Sequence, residues 1–544
     1  MESAACFAVE KYGEDTMKRF LVPLLMSSGL LMAQPYNVSV AKRSNYNSWG
    51  IGWDSVYVLQ NNCITCAIVP VIGGRIMQYD LGTHAFMYFN DAMKGTTSTA
   101  GGQMWGGMRQ LASPQSDFTG NWPPPPTLDS RAYTAAIVQN SIDSCSVYLQ
   151  SQIEASGGTN FNGLQFKRTI TMYKNSSRVR VKMTMVNANS AAQRNHGVWD
   201  ITEVTGGTAS VPYDSMIWVY VPLNPSSTMG AGRGYAQLQQ LDTTQWIKNA
   251  APGVLGIKYR YVEAKMGADS KAGWVCNVDR RNGYAYAKRF SYVTGGTYPD
   301  SGSSVEVYTY RSSSSYSCIE VEVMGPMVTL ANGDSISLIE DWYAARSSGP
   351  VYSVNDAGLI TKPLAVQQTN DTVRAQGTYG VFYPGKIKSI FTSASGTTIA
   401  VADSSAVTPL DSFVFRDTLK VPGSAARLVL AAYNLNGTFV ANLDSIAVTP
   451  TGVIVPETGA AGLRDNSLVS ISQSGAQLRI TVNTRDNFSV DICLLNGKRI
   501  ASFSGSRPQI LVCRLNSAHG SAYIVKVQTA HRVSVHTIVV LGDR

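Results

Sequence analysis

Between about residues 49 and 350 the chain is written as short apolar runs with a two-residue period, cut by turn residues. Residues 178–186 (RVRVKMTMV) are the clearest case. Apolar and polar side chains alternate there, which predicts a strand with one buried and one wetted face. Similar runs cover Ser55–Leu59, Cys63–Val69, Ala135–Gln139, Ser146–Gln152, Phe166–Tyr173, Ser304–Tyr310 and Cys318–Met324. Turn signals at Gly73-Gly74, Gly157-Gly158, Gly206-Gly207, Gly295-Gly296 and Asn332-Gly333 separate them. Only Gly234–Asn249 carries a short helical pattern. So many strands without an internal repeat predict an all-β fold, and a large β-sandwich rather than a propeller or a solenoid.

The pattern changes near residues 350–372, after Ser347-Ser348-Gly349-Pro350. Residues 373–449 form a second alternating unit, of the size of an immunoglobulin-like β-sandwich. Residues 450–466 are rich in Thr, Pro and Gly and read as a linker. Residues 467–544 return to strands and form a last small β-sandwich. Several units are also what the length demands, because 544 residues exceed the roughly 250–300 that one core holds.

The N-terminus adds a location. Lys18 and Arg19 precede an apolar run from Phe20 to Ala33, which has the n-region and h-region of a secretory signal. Residues 1–33 are therefore expected to be a signal region, with Met17 an alternative start and the mature chain secreted or at the cell surface. The run is shorter than a membrane-spanning helix needs, so no transmembrane anchor is expected in the mature chain. Charge changes the picture little. The net charge of +9 is spread along the chain without a Lys/Arg cluster, which argues against nucleic acid as a partner. Of eight cysteines, Cys63 and Cys66 form a CxxC without a second pair or a nearby His, so no metal site is expected. Cys493 and Cys513 fall on neighbouring predicted strands, close enough in the pattern to pair. Nucleotide and dinucleotide motifs are absent from the sequence, and no cofactor is expected.

Two stretches carry family resemblances. Residues 488–500 (FSVDICLLNGKRI) followed by residues 520–527 (GSAYIVKV) resemble the C-terminal sorting domain of type IX-secreted bacterial proteins. That family has an Asn-Gly-Lys/Arg turn and then a Gly-x-Tyr strand. Here Ser521-Ala522 widens the second motif by one residue. The resemblance implies the bacterial secretion machinery as a partner. In the main unit, residues 69–79 (VPVIGGRIMQY), 101–105 (GGQMW), 122–126 (WPPPP) and 318–326 (CIEVEVMGP) occur in this order. They resemble an uncharacterised bacterial domain family of the galactose mutarotase-like supersandwich group. The resemblance implies a supersandwich over residues 49–350 and a polysaccharide or oligosaccharide as ligand.

Candidate chemistry follows from both sources. Epimerases of that group use a glutamate and a histidine, which points to His196 and to Glu320 or Glu322 as catalytic candidates. Glu320 and Glu322 alternate on one predicted strand and share a face. If Ile319, Val321 and Val323 pack in the core, both carboxyls face the opposite surface. Arg75 follows two glycines that let the backbone turn tightly and project the guanidinium. Arg75, Lys288 and Arg289 are candidates for binding hydroxyls or the carboxylate of an acidic sugar. Trp105 and Trp122 are candidate stacking platforms for a sugar ring, although large aromatics also fill cores. The expected function is carbohydrate binding, with or without epimerase, lyase or hydrolase chemistry. A non-catalytic surface glycan binder or envelope protein is the alternative.

Overall fold

The computed structural model describes residues 37–449 and 469–539, apart from 45–51, 119, 121, 156–159, 189–193, 208–214, 240–242, 311–316, 475–476, 485, 495–498, 515–521 and 530–532. The signal region, the linker and the Asn496-Gly497 turn lie outside the described residues. Within them the chain is almost wholly β-strand and forms several sheets. No described helix is long and apolar enough to cross a membrane.

Two large sheets contain every described strand between residues 39 and 346. The first has twelve strands. Its central run is Arg75–Leu81, Gly107–Ser113, Arg194–Thr205, Cys318–Met324, Val305–Thr309 and Ala264–Ala268, each antiparallel to the next. The second has ten, with Tyr284–Phe290, Ser335–Arg346, Val179–Asn187 and Leu164–Tyr173 at its centre. Alternation places the side chains as the pattern predicts. Val179, Val181, Met183 and Met185 are buried, whereas Lys182 between them is exposed. They join Ile319, Val321 and Val323 of the first sheet in one apolar cluster. The Gln110 amide donates to the Thr184 carbonyl and Arg168 donates to the carbonyls of Gly73 and Gly74, so polar side chains also tie the layers together.

One local expectation fails. The described residues of Gly234–Asn249 are not helical. It supplies the strands Tyr235–Gln239 and Trp246–Ala251, which pair with Ala264–Ala268 and Val254–Lys258. Residues 235–239 (YAQLQ) also fit a two-residue period, and long-range pairing decides between the two.

The next two four-stranded sheets run from Ser353–Val354 to Phe439–Ala447 and share their own apolar core. Their junction with the large sheets is tight. Phe382 stacks on Tyr343 with centroids 4.3 Å apart, and the Ser177 amide donates to the Phe382 carbonyl at 2.9 Å. The Ser177 hydroxyl accepts from the Ala344 amide at 3.2 Å and donates to the Phe382 carbonyl at 3.3 Å. Ser177→Ala leaves the buried Ala344 amide short of an acceptor and is expected to cost about 1–2 kcal/mol, read by urea unfolding. Unchanged stability would show that this hydroxyl does not hold the junction.

The last strands form sheets of three and four around a small core. Phe488–Leu494 and Arg499–Gly505 are antiparallel neighbours there. Neither Cys493 and Cys513 nor the buried Cys63 and Cys66 are joined in a disulfide.

Candidate functional site: a cleft on the outer face of the first sheet

The Cys318–Met324 strand is buried along its whole length, yet its two faces differ completely. Ile319, Val321 and Val323 face the apolar space between the sheets. Glu320 and Glu322 therefore project from the other face. Register then fixes their neighbours. Glu203 sits opposite Glu320 and Ile201 opposite Glu322 on one side; Tyr308 and Glu306 do so on the other. One strand further out, Arg109 pairs with Ile201 and Lys265 with Tyr308. Five adjacent strands thus carry one continuous row of ionisable and aromatic side chains on a single face.

That face floors a cleft of about 340 Å³, lined by Arg109, Trp122, Trp199, Lys265, Tyr308 and Glu320, with Met104, Gln115, Gln239 and Tyr310 among the rest. Trp122 stands at the rim and is 37% exposed. The Arg109 guanidinium lies 5.1 Å from its ring centroid. Glycine makes this rim possible. A Cβ on Gly101 would lie 2.0 Å from the Pro124 carbonyl oxygen, and one on Gly102 2.7 Å from the Trp122 indole nitrogen. The Gly101-Gly102 pair and the proline-rich loop are therefore two halves of one wall.

The electrostatics are dense. Arg109 lies 3.5 Å from Glu320, 3.8 Å from Glu203 and 3.7 Å from Asp129. Lys265 lies 2.8 Å from Glu306 and 3.2 Å from Glu322. Burial pushes the Glu320 carboxyl up to about 8, with the Glu322 charge adding to the rise and Arg109 opposing it. Burial likewise pushes Glu306 up to about 8, against the pull of Lys265. For Lys265 burial disfavours the charge, but Glu306 and Glu322 outweigh it and hold the ammonium above its ordinary value. The cleft thus presents a carboxyl that keeps its proton near neutrality beside fixed cations, an arrangement able to donate a proton or a hydrogen bond.

The sequence candidates divide into groups. Glu320 and Trp122 line the cleft. Glu322 lies beneath it, accepting from the Trp199 indole at 2.7 Å. Arg75 is buried behind the wall, where it donates to Asp129 at 3.2 Å and to the carbonyls of Gly106 and Gln103. Trp105 is fully buried and stacks on Arg75, 5.3 Å from centroid to guanidinium. His196 is 2% exposed and packs on Phe161. Its ring nitrogens face the carbonyls of Ser113 and Asn160 at 3.2 and 3.1 Å, and it does not line the cleft. Lys288 lies in the second sheet and reaches inward between the layers to Asp200. Arg289, its neighbour, points the other way and pairs with Asp356.

Arg109, Lys265, Glu203 and Glu306 are site groups that sequence reasoning did not single out. For Arg109 and Lys265 a signal exists: each is the one charge inside a strand, at residues 107–113 (GMRQLAS) and 264–268 (AKMGA).

By its fold the chain is a multidomain all-β protein. No family model and no curated protein matches it. Solved structures overlap with part of it. A protein of Synechocystis shares 11% identity over 54% of this chain and 96% of its own, with a TM-score of 0.37. A galactose mutarotase-like protein from Clostridium acetobutylicum shares 11% over 57% of this chain and 99% of its own, at 0.37. Galactose 1-epimerase from Lactobacillus acidophilus shares 11% over the same 57% and 99%, at 0.33.

Proposed function

We propose that the cleft binds a carbohydrate and that Glu320 is its proton-transfer group. The observation that carries this is that a buried carboxyl, held protonated near neutrality, and a partly exposed indole line the same cleft, with Arg109 close to both. A sugar ring has an apolar face, which a Trp ring accepts, and an edge of hydroxyls, which needs closely spaced polar partners. Trp122 supplies the first; Glu320, Gln115, Gln239 and the tyrosines supply the second. The volume is at the small end of ligand sites and suits one or two sugar rings. Glu322, Arg75 and Trp105 act as positioning residues in this reading. The main unit is then a supersandwich of the galactose mutarotase-like group. Two smaller β-sandwiches follow it, the last acting as a sorting domain for type IX secretion after removal of the signal region. These assignments rest on the sequence patterns.

The test is to incubate the mature chain, from about Gln34, with neutral and acidic polysaccharides, following binding, new reducing ends and unsaturated uronate absorbance. Binding is expected, weakened about tenfold by Trp122→Ala. Product that disappears with Glu320→Gln would establish catalysis. Binding without product would leave a glycan-binding module, and the absence of both would overturn the proposal.

A further inference from the structure

Resting on the carbohydrate reading of the cleft, we infer that it selects uncharged glycans and rejects those bearing carboxylate or sulfate. The basis is that its cations are already committed. Arg75, Arg109 and Lys265 face five carboxyl groups, those of Asp129, Glu203, Glu306, Glu320 and Glu322, at 2.8 to 3.9 Å. Arg109 and Lys265 are the basic groups that reach the cleft, and both are nearly buried.

An anionic ligand would have to displace a protein carboxylate from one of them. The displaced group would then be a buried charge without a partner, which folded proteins tolerate poorly. Above about pH 8 the ligand anion would also meet the ionised carboxylate of Glu320. A neutral sugar meets no such conflict: it can accept from the protonated Glu320 and donate to the remaining lone pairs.

Balance at neutral pH fits this. Five carboxyl groups surround three cations, so no cation is left over to attract an anion, while burial holds the protons of Glu306 and Glu320 near neutrality. Loss of those protons at higher pH makes the cleft negative. The groups facing Glu320 are Arg109, Glu203, Tyr308, Glu306 and Lys265 from neighbouring strands, and Glu322 from its own. Tyr308 is raised by burial and by its bond to Glu263, so it adds no charge near neutrality.

The experiment is a glycan array probed with the mature chain at pH 7, holding neutral, uronate and sulfated glycans. Titration calorimetry then follows with the best binder and its matched partner, such as galactotriose against trigalacturonate. Neutral glycans are expected to bind best, with the anionic partner at least tenfold weaker and weaker still at pH 9. In Glu320→Gln, checked for native circular dichroism, that further loss at pH 9 should shrink. An anionic glycan that binds best, or within tenfold of its neutral partner, overturns the inference and leaves the carbohydrate reading standing. No binding to any glycan overturns both.

Discussion

Lys288→Ala is expected to destabilise the chain by about 3–5 kcal/mol, because it strands buried carboxyl groups. Lys288 is fully buried between the two large sheets. Its ammonium donates to Asp200, to the Thr202 hydroxyl at 2.8 Å and to the Val321 carbonyl at 2.7 Å, and Glu340 lies 3.8 Å away. Burial raises both acids: Asp200 above its ordinary value despite Lys288, and Glu340 to about 8. Without the lysine, Asp200 keeps the hydrogen bond that the Thr202 hydroxyl donates at 3.1 Å but loses its ion pair. Lys288→Met, which keeps the stem but not the charge, should lose nearly as much. Combining it with Asp200→Leu should recover most of the loss, because a buried pair replaced as a unit leaves no orphaned charge. Arg289→Ala is the internal control. Its pair with Asp356 lies at the surface, with side chains 28% and 63% exposed, so a change of no more than about 1 kcal/mol is expected. Urea unfolding of the four variants reads all of this. A loss below about 1 kcal/mol for Lys288→Met would show that the ammonium is dispensable.

The same lysine shows where sequence reading stops. The period of residues 178–186 gives the strand and its buried face directly, because one side of that strand meets water. In residues 284–290 (YAYAKRF) the strand is largely covered on both sides, so alternation does not tell inward from outward. Lys288 and Arg289 look equivalent there, yet one points into the core and the other to the surface. Glu320 and Glu322 were legible because three β-branched residues interleave with them and claim the core. Their partners were not. Arg109, Glu203, Glu306 and Lys265 come from four other strands, brought alongside by register, and register is a long-range property. His196 shows the same limit from the other side. A histidine at the start of a mid-chain strand looks available, but main-chain carbonyls engage both of its ring nitrogens.

Stability is expected to fall as pH rises from about 5 to 8, opposite to a protein held mainly by exposed salt bridges. Glu306, Glu320 and Glu340 ordinarily titrate near 4.5, and burial pushes each up to about 8 in the fold. Between those values the folded chain holds protons that the unfolded chain has released. Unfolding therefore becomes easier with each unit of pH, by up to about 1.4 kcal/mol per proton held. Glu306 and Glu320 share Lys265 and Glu322 as neighbours, so they titrate together and their slopes merge into one broad transition. Asp341 works the other way: burial raises it, but hydrogen bonds from Arg180 and Arg178 outweigh that and hold it below 3.8. Its contribution is lost only in acid, below this window. Glu320→Gln isolates one member of the set, because an amide imitates the protonated carboxyl and cannot ionise. The variant should match the parent near pH 5.5 and exceed it in stability near pH 8.5, by about 1–3 kcal/mol. Thermal and urea unfolding followed by tryptophan fluorescence at both pH values measures the crossing. Parallel stability curves for parent and variant would mean that Glu320 ionises normally in the fold, and the proton it is proposed to transfer would then not be there at neutral pH.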